Sequence, residues 1–117
     1  MEASATRKYI RSSPRKMRRV VNMVRGLSVP EAMEALTFMP QAATRPVELT
    51  LRNAVRNLTD QNPDYRIEAG SLMIRDIRVD EGPRFKRFRA GARGRAKPYK
   101  KRLSHLKVVI GTAADDN

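Results

Sequence analysis

Residues 85–102, "FKRFRAGARGRAKPYKKR", carry nine positive side chains and no negative one. A segment with so much charge and so few apolar groups neither collapses nor holds a shape alone in water. Alternating apolar residues flank it at 72–79 and at 106–110, and this period of two predicts a strand on each side. An antiparallel hairpin is the shortest connection between such strands, with Gly91 and Gly94 at a tip where positive φ is tolerated.

The predicted hairpin arm is longer than the radius of the body that carries it. About nine residues separate Gly82 from the tip, which is on the order of 30 Å of extended chain. A compact chain of this length has a radius of gyration of only about 13 Å. We therefore expect the arm, residues 83–102, to project from a globular body formed by residues 5–82 and 103–112. We expect the polar tail, residues 113–117, to be disordered.

Two helices follow the first basic stretch. The first has Ser13 as its N-cap, Pro14 at its first helical position and Gly26 just past its end. The second begins with a capping box in which Ser28 pairs with Glu31. Both carry apolar residues at helical spacing, so each is expected to pack one face against the core.

A third helix and the sheet complete the predicted body. The helix runs to about residue 60, either from residue 45 with Thr44 as its N-cap or from Gln41, and Pro46 kinks it only if it begins at Gln41. Residues 5–11 are predicted to form a short strand or an extended arm. In the strand that precedes the hairpin the apolar alternation shifts phase, which predicts a bulge at residues 75–76. The prediction is a single-domain α+β fold of three helices packed on a small three-stranded antiparallel sheet, with a long protruding β-hairpin.

The positive charge is concentrated in two places. The 117 residues include 25 Lys and Arg against 12 Asp and Glu, a formal net charge of +13. Residues 7–25 hold eight basic side chains and residues 84–102 hold ten, with no acid in either segment. The other 79 residues hold 7 basic and 12 acidic side chains, a net charge of −5. This pattern indicates a polyanionic partner, which is a nucleic acid, an anionic membrane face or an acidic protein.

Composition excludes several classes of function and location. The chain has no cysteine, which excludes disulfides, thiolate metal sites and a cysteine nucleophile. Its longest wholly apolar runs are three residues, too short for a membrane span or a signal-peptide core. We expect a cytoplasmic protein that has no membrane partner.

RNA is the polyanion that the basic side chains favour. Arg outnumbers Lys 18 to 7, and a guanidinium both forks onto phosphate oxygens and stacks on exposed bases. Phe88 between Arg87 and Arg89 shows the interleaving of aromatic and basic residues that suits such contacts. A two-stranded ribbon this polar is at best marginal alone, so the partner must supply its order.

Three other readings of the basic arm stay open. A DNA-bending protein with basic β-ribbon arms inserts an apolar wedge at the arm tip, and residues 90–92 offer none. An inhibitor or chaperone of an acidic protein needs neither the arginine excess nor an arm. A disordered basic linker does not require the flanking strands and paired glycines.

Candidate catalytic residues are few. His105 is the only histidine and stands in a predicted strand, so a structural or RNA-contacting role is favoured over general-base chemistry. Asp76, Asp80 and Glu81 have the chemistry to hold a magnesium ion, but acids near a strand end more often serve as caps or pair with neighbouring arginines. We predict no enzyme, no metal, no cofactor and no small-molecule substrate.

Six short motifs, in order along the chain, resemble one known family. They are "RSSPRKMRRVVNMVRG" at 11–26, "NAVRN" at 53–57, "VDEGP" at 79–83, "KR" at 86–87, "ARGRA" at 92–96 and "KRLSHLKVVI" at 101–110. From about residue 5 to residue 110 the chain resembles the bacterial large-subunit ribosomal protein L twenty-two family. The resemblance implies three helices and a three-stranded sheet with a long β-hairpin. It further implies that the hairpin threads into large-subunit rRNA and that its tip lines the nascent-peptide exit tunnel beside ribosomal protein L four.

The resemblance, together with the charge pattern, predicts the site. The residues predicted to bind rRNA are Arg7, Lys8, Arg11, Arg15, Lys16, Arg18, Arg19, Arg25, Arg84, Lys86, Arg87, Arg89, Arg93, Arg95, Lys97, Lys100, Lys101, Arg102 and His105. The predicted tunnel-lining tip is Phe88, Arg89, Ala90, Gly91, Ala92 and Arg93. The implied partners are large-subunit rRNA, neighbouring ribosomal proteins including L four, and the nascent peptide in passing, with the chain a monomer within the ribosome.

This chain departs from the family pattern at a few positions. The family usually has Pro-Arg where Ala90 and Gly91 stand, serine in place of Asn53, and no proline at the position of Pro46. A looser tip is the expected consequence.

Overall fold

A computed structural model describes residues 1–40, 42–90, 92–94 and 96–112, and gives the backbone alone at 69, 85–90, 92 and 96–101. In chain order the elements are β1 (Glu2–Ile10), α1 (Pro14–Val24), α2 (Val29–Phe38), α3 (Thr44–Gln61), β2 (Leu72–Ala90) and β3 (Ala96–Thr112), with short 3₁₀ turns at Ala69–Ser71 and Ala92–Gly94. The strands form one antiparallel sheet in the order β1-β3-β2. The predicted α+β fold, with three helices on a three-stranded antiparallel sheet, is confirmed for these residues.

The first two helices begin where the sequence predicts. The Ser13 side chain accepts a hydrogen bond from the Lys16 backbone N–H at 3.4 Å, and Pro14 is the first residue of α1. The Ser28 side chain accepts one from the Glu31 backbone N–H at 3.4 Å and caps α2 in the same way. Each cap satisfies one of the N–H groups that a helix start leaves without an internal partner.

The third helix resolves the alternatives that Pro46 left open. It begins at Thr44, with Ala43 rather than Thr44 in the N-cap position. Pro46 therefore lies in the first turn, where its missing N–H has no partner inside the helix to lose. The Thr50 hydroxyl donates to the Pro46 carbonyl at 2.7 Å. Gln41, the other candidate start, lies outside the described residues.

The predicted bulge in β2 is confirmed. Ile74 pairs with Ile110 and Asp76 pairs with Val109, so Arg75 is the extra residue on β2. It restores a common face for the alternating apolar residues on both sides of it. The buried residues of that face are Leu72, Ile74, Ile77 and Val79 on β2, and Leu106, Val108 and Ile110 on β3.

The first strand differs from its prediction at both ends. It spans Glu2–Ile10 rather than residues 5–11, because residues 2–6 pair with residues 107–111 of β3. Arg11 falls after the strand. Ala3 and Ala5 are buried against the core. Alanine is only weakly hydrophobic, so its alternation with polar residues did not reveal the start of the strand in the sequence.

A second bulge in β2, which the sequence did not predict, marks the point where β1 stops contributing. Glu81 pairs with Ser104 and Arg84 with Arg102, so Gly82 and Pro83 hold one residue more than β3 does. A Cβ on Gly82 would lie 3.1 Å from the Leu103 backbone, so the two strands approach closely here. β2 and β3 continue to pair alone from Phe85↔Lys101 to Ala90↔Ala96.

The helices cover one face of the sheet and the molecule is elongated. Val20, Val21 and Leu51 of the helices are fully buried with Leu106 and Ile110 of β3. The extents are 65 × 25 × 22 Å and the radius of gyration is 17.5 Å, against about 13 Å for a compact chain of this length. Among the described residues no helix is both long and apolar enough to cross a membrane.

Candidate nucleic-acid interface

The two basic segments, far apart in sequence, meet where the three-stranded sheet becomes two-stranded. The Ser104 hydroxyl of β3 donates to the Ser12 carbonyl at 2.6 Å, just before α1. Arg18 of α1 donates from Nη2 to the Val79 carbonyl of β2 at 3.1 Å. We call the surface formed by residues 7–19, Arg84 and residues 102–105 the junction.

Most cations of the junction face solvent. Met17, Val20, Val21 and Val24 occupy the buried face of α1, which leaves the opposite arc to basic residues. The exposed basic residues of the junction are Arg7, Lys8, Arg11, Arg15, Lys16, Arg18, Arg19, Arg84 and Arg102. Within the described part of the chain, Arg84 alone of these has an acidic partner, with its Nη2 3.1 Å from Glu81 Oε2.

Two arginines of α3 share one acidic partner. On α3, Arg52 Nη2 lies 2.8 Å from Glu48 Oε1, and Arg45 Nη1 lies 3.9 Å from the same oxygen. Such i,i+3 and i,i+4 pairs are the usual way in which an exposed helix balances its charge. Apart from Arg84, the basic residues of the junction lack such pairs among the described residues, so their positive charge is available to an anion from outside the chain.

Arg25 is the predicted contact that the structure places away from the junction. It follows the last residue of α1, close to Leu27, whose carbonyl accepts a hydrogen bond from the Ile74 N–H at 3.2 Å. Ile74 precedes Val79 by five residues on β2, or about 16 Å of strand. Arg25 thus belongs to the far end of the body.

His105 makes a structural contact, which is one of the two roles predicted for it. Its partner is Tyr9, a residue for which the sequence predicted no role. Nδ1 of His105 accepts a hydrogen bond from the Tyr9 backbone N–H at 3.1 Å. The two rings meet edge to face, with centroids 5.0 Å apart and planes at 87°. The signal that could have singled out Tyr9 is its place in "RKYIR", where an aromatic ring stands among basic residues as Phe88 does.

The paired strands of the arm bring like charges together. The register places Arg84 opposite Arg102, Lys86 opposite Lys100, and Arg89 opposite Lys97. Like charges directly opposite one another destabilise a ladder. This register is the one that the prediction of a partner-ordered arm requires.

The structure describes only part of the predicted tip. Gly94 has the positive φ, 73°, that the sequence predicted as tolerated there, and the exposed Arg93 before it has φ 58°, which the sequence did not predict. Gly91 and Arg95 lie outside the described residues. So do the predicted side-chain roles of Lys86, Arg87, Phe88, Arg89, Ala90, Ala92, Lys97, Lys100 and Lys101.

The acids near the base of the arm pair with arginines, as the sequence favoured. Asp80 Oδ2 lies 3.7 Å from Arg78 Nε, and Glu81 pairs with Arg84. Among the residues that the structure describes, no three metal-ligating side chains form a group that could hold a metal ion.

Comparison with known proteins connects this geometry to one family. The family model for ribosomal protein L22p/L17e matches residues 5–111. The large ribosomal subunit protein uL22 of Salinibacter ruber is 57% identical over 110 residues, which cover 94% of this chain and 90% of that protein. The protein of the same name from Desulfitobacterium hafniense strain Y51 is 42% identical over 109 residues, 93% of each chain.

Proposed function

The chain belongs to the ribosomal protein L22p/L17e family, and from that premise we propose that it is a structural constituent of the large ribosomal subunit that binds and organises large-subunit rRNA. The observation that carries this proposal is the junction. Its cations come from two distant segments, point outward and, apart from Arg84, lack acidic partners among the described residues. Its relatives are named for the large ribosomal subunit, whose rRNA is a polyanion of the required kind.

The mechanism is phosphate neutralisation followed by recognition of folded RNA. Each cation that meets a phosphate releases a condensed counterion, which supplies affinity without sequence information. Selectivity comes from the shape of the RNA, from stacking on unpaired bases and from contacts to 2′-hydroxyls. The chain contributes no bond-breaking chemistry, so its role during assembly is to hold rRNA segments together.

The arm has a second part in the proposal. Its tip, residues 88–93, lines the nascent-peptide exit tunnel beside ribosomal protein L four and meets the nascent peptide only in passing. Two features support this role: the like-charged pairs of the ladder, which favour burial in RNA, and the exposed Arg93 at the turn. The protein acts as a monomer within the cytoplasmic ribosome.

Sedimentation of a cell extract tests the proposal against its rival, a DNA-bending protein with basic arms. The chain is expected to migrate with the large subunit and to stay there after a moderate salt wash, because contacts inside folded RNA are screened less than surface contacts. Treating a parallel extract with ribonuclease should release it. Recovery with the nucleoid, released by deoxyribonuclease, would instead support the rival.

A further inference from the structure

Tyr9 has a backbone conformation that a tyrosine rarely adopts. Its φ is 59°, in the left-handed region that costs a residue with a side chain about 1–2 kcal/mol. It lies in a bulge of β1, because Arg7 pairs with Leu106 and Ile10 with Ser104, which leaves one residue too many on β1. A glycine would meet this backbone demand without strain.

His105 holds Tyr9 in this conformation. Since Nδ1 of His105 accepts the Tyr9 N–H, the neutral imidazole carries its proton on Nε2. The ring of Tyr9 stands edge to face on the imidazole, an arrangement that stabilises an aromatic pair. The orientation of the tyrosine ring is thus fixed before any partner arrives.

The ring is nevertheless left open to solvent. Tyr9 is 61% exposed, although its neighbour Ile10 is buried in the core. It is surrounded in sequence by Arg7, Lys8 and Arg11, all exposed. Tyr65 is equally exposed, at 63%, but its charged surroundings differ, because it stands in a loop where acidic and basic residues alternate.

We propose that Tyr9 is a stacking platform for one unpaired base of large-subunit rRNA, with His105 as its positioning residue and Lys8 and Arg11 on the flanking phosphates. A strained, oriented and exposed ring among uncompensated cations suits a nucleotide better than a protein partner, since a base offers a π-face and its backbone offers the anion. The base must be unpaired, because a base inside a helix already stacks on its neighbours. This inference rests on the proposed function and adds a specific contact to it.

The test replaces one exposed tyrosine or the other by glycine in the full chain. Tyr9→Gly removes the ring, relieves the backbone strain and keeps the N–H that His105 accepts. Tyr65→Gly removes the same atoms from a surface of mixed charge and is the matched control. Affinity for deproteinised large-subunit rRNA is measured by filter binding over a series of salt concentrations, and folding is checked by thermal melting.

The expected result separates stacking from folding. Tyr9→Gly should weaken rRNA binding about tenfold, in the range of one lost base–aromatic stack. The slope of log K against log salt concentration should not change, because no phosphate contact is removed. Its melting temperature should stay near that of the parent protein, since relief of strain offsets the lost ring contact. Tyr65→Gly should bind like the parent, and Tyr9→Phe, which keeps the ring, should bind within about twofold of it.

Three results would overturn the inference: parental affinity in Tyr9→Gly, a joint loss of stability and affinity in that variant, or a tenfold loss in Tyr9→Phe. The first shows no stack, the second a role in folding, and the third a role for the hydroxyl rather than the ring. Failure of the proposed function looks different, because the parent protein itself would then show no preference for rRNA over duplex DNA of equal length.

Discussion

Ser104 is a polar residue with no exposed surface, and its hydroxyl fastens β3 to the turn before α1. It donates to the Ser12 carbonyl at 2.6 Å. Replacing it with alanine removes the donor and leaves a carbonyl without its partner. We expect Ser104→Ala to lower the free energy of unfolding by about 1–3 kcal/mol, measured by urea denaturation.

Ser4 provides the control for this substitution. It lies exposed on β1, and its contact with Asn57 is made by the backbone carbonyl, which alanine keeps. Ser4→Ala should therefore change stability by no more than about 0.5 kcal/mol. If the two alanine variants unfold at the same urea concentration, the Ser104 bond does not secure the junction.

At the scale of single residues, local signals were readable and distant contacts were not. Ser13 and Ser28 were predicted as caps because a cap bonds an N–H three residues away, and both partners stand in the same short stretch. The bond between Tyr9 and His105 joins residues 96 positions apart. It depends on the exact register of β1 on β3, including a bulge that no apolar alternation marks.

Among the elements, α1 combines a fully buried apolar stripe with basic residues that have no acidic partner. Arg15, Lys16 and Arg19 are exposed and have no acidic partner among the described residues, whereas Arg18 also bonds the Val79 carbonyl. We expect the triple change of those three residues to glutamine to leave the fold intact. It should weaken rRNA binding steeply and reduce the salt slope of log K by about two to three, one phosphate contact per lost cation.

A triple change on α3 controls for net charge. Replacing Arg45, Arg52 and Arg56 with glutamine removes the same three charges, but two of these arginines already pair with Glu48. It should leave rRNA binding and its salt slope near the parental values. Equal losses in the two triple variants would mean that total charge, rather than the junction, determines binding.

The two bulges of β2 show what an element's sequence can reveal. The bulge at Arg75 was predictable because buried residues stand on both sides and their alternation changes phase. The bulge at Gly82 and Pro83 opens onto the arm, where residues on either side are polar and no phase exists to break. Only the structure reveals it, through the close approach of the two strands, where a Cβ added to Gly82 would lie 3.1 Å from the Leu103 backbone.

The whole molecule divides its charge between a surface on the body and an arm beyond it. The helices and the two long strands were predictable from periodicity, because each follows from residues close in sequence. The sequence did not predict that residues 7–19 and 102–105 form one surface. That surface exists because β1 pairs with β3 rather than with β2. The order of strands therefore decides which cations act together.

Deleting residues 85–98 tests this division of labour. The deletion removes six cations. Arg84 and Arg102, which pair across the two strands, are then joined by the three residues 99–101. Three residues is an ordinary length for a hairpin loop. We expect the shortened protein to fold, because all buried core residues remain. Its rRNA affinity should fall, with the salt slope reduced by about four to five.

Docking into the large subunit separates the two surfaces more sharply than affinity does. If the junction positions the body, the shortened protein should still enter large subunits reconstituted in vitro, although with lower occupancy. The variant with Arg15, Lys16 and Arg19 replaced should compete poorly even though its arm is complete. Were the deletion to abolish incorporation as fully as that triple change, the arm would be the docking element and the junction secondary to it. Because like charges directly opposite one another destabilise a ladder, we expect the body to dock first and the arm to order against RNA afterwards.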